Sequence, residues 1–264
     1  MKLEYLLDQY NKGKLNLVDL QNHLSLSYIE NIGKNIKFDI DRDLRNGIPE
    51  IIYGQKKTYS DILKICSIVL NKNNKVLVSK LDTNTIEKII IYYKKKKLFV
   101  ERGRNSSTIL VSKSRTFRYN KNSKIGVICA GTSDIGIAEE ARLVSKIMGC
   151  QSITSYDVGI AGLHRLIPVL KKMINKKVKA IVVVAGMEGA LPSIVSSCID
   201  LPVIGVPTSV GYGIGGNGIG ALYSMLQSCV LGLTVVNIDN GIGAGSFAAL
   251  IANQIASKQT TKNC

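Results

Sequence analysis

The sequence predicts an α/β protein with a doubly wound parallel sheet in its second half, preceded by a smaller α+β domain. Three observations support this prediction. Nearly continuous apolar runs recur in the second half, which is typical of strands buried on both faces. Each run is followed by a helical pattern, and such alternation predicts right-handed strand–helix–strand crossovers. The first half is less regular and more basic.

Charge is divided unevenly along the 264 residues, whose net charge is +16. Residues 1–124 contain 25 basic and 12 acidic side chains, and the remainder contains 10 basic and 7 acidic ones. This asymmetry indicates two units with different surfaces. The polar stretch SRTFRYNKNSK is the best linker, so we expect a basic domain at 1–118 and a second domain at 119–264. The basic residues are typical of a solvated surface, because YYKKKK has no repeated basic–aromatic pattern around it, which argues against a nucleic-acid partner.

Short helices and strands are predicted in the first half. Thr58 is the expected N-cap of the strongest helix, since apolar residues recur at helical spacing after it. In chain order the segments are the helices LEYLLDQYNKG, NLVDLQNHL and TYSDILKICSIVL, the strand KVLVSK, the helix TNTIEKIIIYY, and the strands KLFV and STILVSK.

Strands and helices alternate in the second half. The predicted strands are IGVICA, SITSYDV, AIVVVAG, PVIGVPT and LTVVNID. The helices that follow them in turn are IAEEARLVSKIMG, LHRLIPVLKKMI, ALPSIVSSCI, IGALYSMLQSC and SFAALIANQIA.

Neither a secretory signal pattern nor a long uncharged apolar span is found in the sequence, so we expect a cytoplasmic protein without a membrane partner. The six cysteines show no C-x-x-C spacing, which argues against a disulfide framework or a zinc cluster. Each cysteine is therefore expected to be a small buried thiol.

Small and polar residues collect where the five strands of the second half end. Ligands bind at the carboxyl ends of the strands in such sheets. The five loops contain Gly131, Thr132, Ser133 and Asp134, then Asp157 and Gly159, then Gly186, Glu188 and Gly189, then Thr208 and Ser209, and finally Asp239, Asn240 and Gly241.

The loop CAGTSDIG suits a phosphate. Gly131 lets the backbone approach a ligand, and Thr132 and Ser133 offer hydroxyls. A helix that opens near Asp134 offers free N–H groups and the positive end of its dipole. The alternative is a helix cap formed by Ser133 or Asp134, and a cap is compatible with phosphate binding.

Three further side chains are candidates for chemistry. His164 and Arg165 lie at a helix start, where arginine can grip a phosphate and histidine can move a proton, or where histidine serves only as a hydrogen-bond partner. Glu188 lies between glycines and is either a general base, a cation ligand or simply an exposed loop residue. The glycine-rich segment TSVGYGIGGNGIGAL is either a flap over a ligand or a site of close helix packing. Cys229, at the end of a helix, looks like a core cysteine on local chemistry alone.

Five segments together resemble the LarB family of pyridinium-3,5-biscarboxylic acid mononucleotide synthases. They are GVICAGTSDIGIAEEA, DVGIAGLHR, VVVAGMEGALPSIV, PVIGVPTSVGYG and VVNIDNGIGAG. The same half is more distantly similar to PurE-type aminoimidazole ribonucleotide carboxylases and mutases. In the first half, DRDLRNGIPEIIYGQKKT resembles the segment that follows the first helices of LarB proteins.

The resemblance implies a PurE-like, flavodoxin-like three-layer αβα domain in a homo-octamer. It implies nicotinic acid adenine dinucleotide as substrate, CO2 or bicarbonate as cosubstrate, and no tightly bound cofactor, with Mg²⁺ as a candidate ion at Glu188. The pyridinium C5 would be carboxylated and the phosphoanhydride hydrolysed, releasing AMP. The product would serve the nickel-pincer nucleotide cofactor of lactate racemase-type enzymes.

The resemblance also implies roles for single residues. Cys229 matches the family's nucleophile and overrides its reading as a core cysteine, while Cys129 and Cys198 remain rivals as small core residues. Glu188 would deprotonate C5 or hold Mg²⁺, and His164 would handle the proton on the carboxylated carbon. The substrate-binding residues would be Gly131, Thr132, Ser133, Asp134, Arg165, Gly189, Asp239 and Asn240.

Two other functions stay open from the sequence. One is a PurE-type purine enzyme, which needs no cysteine and usually lacks a long N-terminal half. The other is a non-enzymatic nucleotide-binding module, which would bind the dinucleotide without releasing AMP.

Overall fold

A computed structural model of the chain describes residues 2–24, 30–32, 36–39 and 42–261. These residues form two compact units. The first unit contains the described residues up to Val100, together with Val111–Ser114. The second contains Glu101–Leu110 and the described residues from Arg115 onward.

The first unit and the strands at its boundary contain the predicted mixture of helices and strands. Thr58 is the N-cap of the fourth helix, where its Oγ1 accepts a hydrogen bond from the Asp61 backbone N over 3.2 Å, as predicted. The elements are α1 (Lys2–Asn11), α2 (Leu17–Leu24), β1 (Glu30–Ile32), β2 (Ile36–Phe38), α3 (Arg42–Asn46), β3 (Ile52–Tyr53), α4 (Tyr59–Asn73), β4 (Lys75–Ser79), α5 (Thr83–Lys95), β5 (Phe99–Arg102) and β6 (Ile109–Ser112). Strands β1 and β2 pair antiparallel, and a four-stranded sheet has the order β3-β4-β6-β5.

The rest of the chain forms the alternating pattern that the sequence predicts. Its elements are β7 (Lys124–Cys129), α6 (Ile135–Ile147), β8 (Gln151–Ser155), α7 (Leu166–Asn175), β9 (Ile181–Ala185), α8 (Leu191–Ser197), β10 (Val203–Pro207), α9 (Ile219–Leu226), β11 (Leu233–Val235) and α10 (Gly241–Thr261). Two 3₁₀ turns, Thr132–Asp134 and Ile160–Arg165, precede α6 and α7.

The sheet of the second unit has five parallel strands in the order β11-β10-β9-β7-β8. Numbered within this unit the order is 2-1-3-4-5, which is the flavodoxin-like arrangement. The structure therefore confirms the predicted doubly wound parallel sheet. Every residue of β9 and β10 is buried, as their continuous apolar sequences predict.

Helices cover both faces of this sheet. One core cluster joins the strands to α6 and α10 through alanines and branched side chains such as Ile135, Ala141 and Ala248. A second cluster joins the opposite face to α7, α8 and α9 through residues such as Leu170, Val195 and Met225. The two clusters make the three layers expected of an αβα domain.

The segment Glu101–Leu110 lies before the polar linker in sequence but groups with the second unit. Carboxylate oxygens of Glu101 lie 2.8 Å from a guanidinium nitrogen of Arg142 and 2.6 Å from Nζ of Lys146, both on α6. The predicted boundary at residue 118 would place this segment in the first domain. These ion pairs join the segment to α6, and the domain boundary at residue 118 stays a prediction.

No helix within the described ranges is both long enough and apolar enough to cross a membrane.

Candidate functional site

Five loops follow the carboxyl ends of the parallel strands, and they carry most of the predicted site residues. The order of strands reverses between β7 and β9, because β8 lies on one side of β7 and β9 on the other. Such a switch point opens a crevice at the carboxyl edge of a sheet. The loops after β7 and β9 flank this crevice and carry Thr132, Ser133 and Glu188.

The Asp134 side chain forms hydrogen bonds that connect two of these loops. Its side chain is 3% exposed. One carboxylate oxygen accepts a hydrogen bond from Thr208 Oγ1 over 2.7 Å, and the other accepts one from the Gly131 backbone N over 2.9 Å. Burial raises the pKa of Asp134 although these donors favour its charged form. The carboxylate thus shapes the loop, and its role as a direct substrate ligand stays a prediction.

Thr132 and Ser133 lie exposed on the 3₁₀ turn above Asp134. Asp134 occupies the N-cap position of α6, as expected, but its side chain forms no cap hydrogen bond there. The physical reason is that the Asp134 oxygens accept from Thr208 and Gly131 instead. The Ile135 backbone N donates to the Thr132 carbonyl, so this turn continues into α6 and carries the two exposed hydroxyls at the start of the helix.

The loop after β9 is a tight turn with Glu188 at its tip. Met187 and Gly189 both adopt positive φ, 51° and 64°. A Cβ on Gly189 would lie 2.7 Å from the carbonyl oxygen of Ala221, so this buried glycine allows close packing against α9. Glu188 itself is exposed. The structure accordingly places its carboxylate at the surface of the crevice and Gly189 beneath it.

Asp239 and Asn240 join the loops after β10 and β11. An Asp239 carboxylate oxygen accepts a hydrogen bond from the Ser209 backbone N over 2.9 Å, and the Asp239 backbone N donates to the Pro207 carbonyl over 2.9 Å. Asn240 Oδ1 accepts a hydrogen bond from the Gly243 N over 2.8 Å and so caps α10. Both residues fix the shape of this edge, and direct ligand binding by either one stays a prediction.

His164 and Arg165 lie exposed on the turn that leads into α7, as the sequence predicts. The Arg165 guanidinium lies 3.2 Å from a carboxylate oxygen of Asp157, and both side chains are largely exposed. An exposed pair of this kind contributes little to stability. The ion pair instead holds the guanidinium beside the end of β8.

The cysteines divide into buried and exposed groups. Cys66, Cys129 and Cys150 are buried as expected, and burial raises the pKa of the Cys129 thiol to about 12. Cys198 and Cys229 are exposed, so their reading as core residues is wrong. Helix α9 ends at Leu226, and the chain has already left the helix and its packed face when it reaches Cys229.

The segment around Cys229 packs along α8. Ser193 Oγ donates to Ser228 Oγ over 2.8 Å, and Ser196 Oγ donates to the Leu231 carbonyl over 3.2 Å. The Gly232 carbonyl accepts from the N of Val203, at the amino end of β10. The other predicted site residues follow the carboxyl ends of the strands. The structure thus brings these residues together on the carboxyl edge of the sheet and places Cys229 apart from them, beside α8 and near the amino end of β10.

No group of three or more His, Cys, Asp and Glu side chains among the described residues is arranged to hold a metal ion. Glu188 therefore offers a single protein carboxylate. Mg²⁺ in nucleotide sites is typically bound by one or two carboxylates together with substrate phosphates and water, so one carboxylate fits an ion carried in by a substrate.

The role of Thr208 was missed from the sequence, where this residue was recognised only as part of a loop. It is fully buried, and its hydroxyl donates to Asp134 across the sheet. A buried polar side chain needs a hydrogen-bond partner. The position of this hydroxyl directly after the apolar run PVIGVP was therefore the signal that could have predicted a buried hydrogen bond.

Comparisons with known proteins agree with this architecture. Residues 124–263 match the AIR carboxylase family, and residues 29–129 match the LarB/PurE-like N-terminal domain. An uncharacterized protein of Methanocaldococcus jannaschii is 45% identical over 253 residues, which are 95% of this chain and 96% of that protein.

Two mutases match the second half alone. The N5-carboxyaminoimidazole ribonucleotide mutase of Methanocaldococcus jannaschii is 31% identical over 132 residues, 50% of this chain and 77% of that enzyme. The corresponding mutase of Thermotoga maritima is 29% identical over 133 residues, 48% of this chain and 74% of that enzyme. The second domain is thus of a carboxylase and mutase type.

Proposed function

This chain belongs to the LarB family, with a PurE-like second domain, and we propose that it is a carboxylase and hydrolase of nicotinic acid adenine dinucleotide. The products are pyridinium-3,5-biscarboxylic acid mononucleotide and AMP, and the first of these feeds nickel-pincer cofactor synthesis. One observation carries the proposal: a LarB-type N-terminal domain and an AIR carboxylase domain together span residues 29–263. The similarity to the ribonucleotide mutases covers only half of the chain.

The crevice is suited to the mononucleotide part of this substrate. The exposed hydroxyls of Thr132 and Ser133 stand on the turn at the start of α6, where the positive end of the helix dipole favours a phosphate. Arg165 stands at the end of the neighbouring strand β8 and provides a positive charge. These groups would bind one phosphate, and Glu188 and His164 remain to act on the pyridinium ring.

The covalent chemistry starts from a ring that cannot attack CO2 by itself. A thiolate adds to C4 of the pyridinium, and its electron pair converts the ring to a dihydropyridine. C5 then has enamine character and forms a bond to the carbon of CO2. A base removes the C5 proton, the electron pair restores the aromatic ring, and the thiolate leaves. A C–H bond is replaced by a C–carboxylate bond, one proton is released, and no oxidant is needed.

Cys229 is the proposed nucleophile, and because it lies near the amino end of β10 while the crevice lies at the carboxyl edge, we propose that a neighbouring copy in the assembly supplies it. Its side chain is exposed, whereas Cys129 is buried and its pKa is raised to about 12, which leaves little thiolate at neutral pH. Glu188, exposed at the tip of its turn, is the proposed base for the C5 proton. His164, on the turn that follows β8, is the proposed proton carrier.

Hydrolysis of the phosphoanhydride needs a water that attacks phosphorus and a leaving AMP. In the alternative role of Glu188, its carboxylate would hold a Mg²⁺ ion, which would neutralise charge on the substrate phosphates. The chain's own contribution is to fix the nucleotide through the loop Gly131–Asp134 and Arg165.

Incubation with nicotinic acid adenine dinucleotide and ¹³C-bicarbonate, followed by mass spectrometry, tests the proposal. We expect a labelled mononucleotide with one added carboxylate and an equal amount of AMP. The identity to ribonucleotide mutases supports a second candidate, so N5-carboxyaminoimidazole ribonucleotide is tested in parallel. Turnover of that ribonucleotide without turnover of the dinucleotide would contradict the proposal and favour the mutase. Binding of the dinucleotide without any product would favour a non-enzymatic module.

A further inference from the structure

We propose that Arg104 binds the second phosphate of the dinucleotide, on its adenylate side, and thereby selects dinucleotides over mononucleotides. The inference rests on the proposed function, because it names which part of that substrate the residue recognises. It concerns a residue that lies before the AIR carboxylase match, which begins at residue 124.

Arg104 lies in a turn that packs against the first turns of α6, within the second unit. A Cβ on Gly136, the second residue of α6, would lie 2.4 Å from the Asn105 carbonyl oxygen, so the turn touches the helix backbone there. The Arg104 backbone N donates to a carboxylate oxygen of Glu139 over 3.1 Å. The turn is thus adjacent to the helix start that follows the loop Gly131–Asp134.

The turn is held rigidly. The Ser106 N donates to the Gly103 carbonyl over 3.0 Å, and Arg102 Nε donates to the Ser106 carbonyl over 3.2 Å. Glu139, which receives the Arg104 N–H, is itself fixed by two hydrogen bonds from Arg142 at 2.7 and 2.8 Å. The backbone that carries Arg104 therefore needs no rearrangement when a ligand binds, which favours affinity.

The Arg104 side chain is free to act on a ligand. It is exposed, and within the described part of the chain its guanidinium forms no ion pair. Its charge also reaches the end of β7: burial raises the pKa of the Cys129 thiol to about 12, and the Arg104 charge acts in the opposite direction. Cys129 Sγ donates to the Gly131 carbonyl over 3.3 Å, so this end of β7 belongs to the phosphate loop.

The two substrate types differ by a phosphate. A ribonucleotide, the substrate class named for the mutases, carries one phosphate, and the loop Gly131–Asp134 with Arg165 suffices for it. A dinucleotide carries two joined phosphates. A guanidinium matches phosphate oxygens with paired hydrogen bonds, so one more arginine beside the same helix start fits the second phosphate.

Two substitutions and two probes test the proposal. Arg104→Gln removes the charge but keeps the backbone N–H that anchors the turn. Arg118→Gln is the matched control, because Arg118 is also exposed and its carbonyl lies near Gly149, just beyond the other end of α6. Calorimetry measures the dissociation constants of nicotinic acid adenine dinucleotide and nicotinic acid mononucleotide, and thermal melting checks the fold.

We expect Arg104→Gln to weaken dinucleotide binding roughly tenfold or more, as loss of a hydrogen bond to a charged group implies. Mononucleotide affinity and the melting temperature should stay at the wild-type values, and Arg118→Gln should bind both probes normally. Equal effects on both probes, or no effect on either, would overturn the role of Arg104 while leaving the proposed function standing. A wild-type protein that binds neither probe would overturn both.

Discussion

At the scale of single residues, the site depends on the buried carboxylate of Asp134. Asp134 accepts hydrogen bonds from Thr208 and Gly131 and so sets the loop on which Thr132 and Ser133 are presented. Burial of the Asp134 carboxylate requires desolvation of its charge, and this raises its pKa. Preorganised loops of this kind are what a phosphate site needs, because the binding groups then require no rearrangement.

Asp134→Asn should change the pH dependence of stability. Because the folded-state pKa of Asp134 is raised, the folded protein binds a proton that the unfolded chain has already lost, and stability falls as pH rises through that window. Asparagine cannot titrate. Urea unfolding from about pH 3.5 to about pH 7 should therefore show the free energy of unfolding of the wild type falling relative to that of the variant. Parallel curves would show that Asp134 does not carry this linkage.

Glu188→Gln should keep the fold and lower turnover of the dinucleotide by roughly 100-fold or more, since a missing general base costs about that much. Glu188 is exposed between Met187 and Gly189, which both have positive φ, so the substitution disturbs no packing. Steady-state kinetics checks this, with Glu87→Gln, an exposed glutamate on α5, as the matched control. Near-wild-type turnover would remove Glu188 from the mechanism.

The sequence predicted which residues end each strand, because glycine, hydroxyl and carboxylate residues interrupt apolar runs there. It did not predict which of them are buried. The cross-sheet bond from Thr208 to Asp134 joins residues 74 positions apart, and no local pattern encodes it. The exposure of Cys229 was also missed, because it depends on α9 ending three residues earlier than the helical pattern suggests.

At the scale of elements, the strands and helices follow the apolar pattern closely, and the reason is burial. Strands β9 and β10 are covered on both faces, so their entire sequences are apolar and their limits are plain. The close approach of α10 to α6 was not predictable from periodicity. It depends on small residues, since a Cβ on Gly245 would lie 2.5 Å from the Ala141 carbonyl oxygen.

Gly245→Ala should therefore destabilise the protein although alanine is the better helix former. The added methyl group meets backbone that cannot move freely, which costs about 1–3 kcal/mol, and this exceeds the helix-propensity gain of about 1 kcal/mol. Thermal unfolding followed by circular dichroism measures the change. Gln254→Ala, at an exposed position of the same helix, is the control and should melt near the wild-type temperature. A Gly245→Ala protein more stable than wild type would refute the packing argument.

At the scale of the whole molecule, the second unit leaves several large apolar side chains exposed around α9. They include Tyr212, Ile214, Tyr223, Leu226 and Leu231. Exposed apolar side chains concentrated in one stretch of chain mark surfaces that bind other chains. Cys229 lies within the same stretch, so an assembly that covers these side chains also changes the surroundings of the proposed nucleophile.

We predict a homo-octamer, the assembly that PurE-like domains imply. Light scattering at micromolar concentration should give the mass of an octamer, because a closed symmetric assembly buries these apolar side chains. Leu231→Asp should give smaller species, whereas Ile91→Asp, at an exposed apolar residue of α5, should not. A monomeric wild type would contradict the prediction.

The central claim is that the Cys229 thiolate adds to the pyridinium ring before CO2 does. The most direct test is the absorbance difference spectrum recorded on mixing protein with nicotinic acid adenine dinucleotide. The wild type and Cys198→Ser, which changes the other exposed cysteine among the described residues, should both show a dihydropyridine band. Cys229→Ser should show none and should not carboxylate, because an alcohol at neutral pH is a far weaker nucleophile than a thiolate. A Cys229→Ser protein with the same band and a comparable rate of carboxylation would contradict the account.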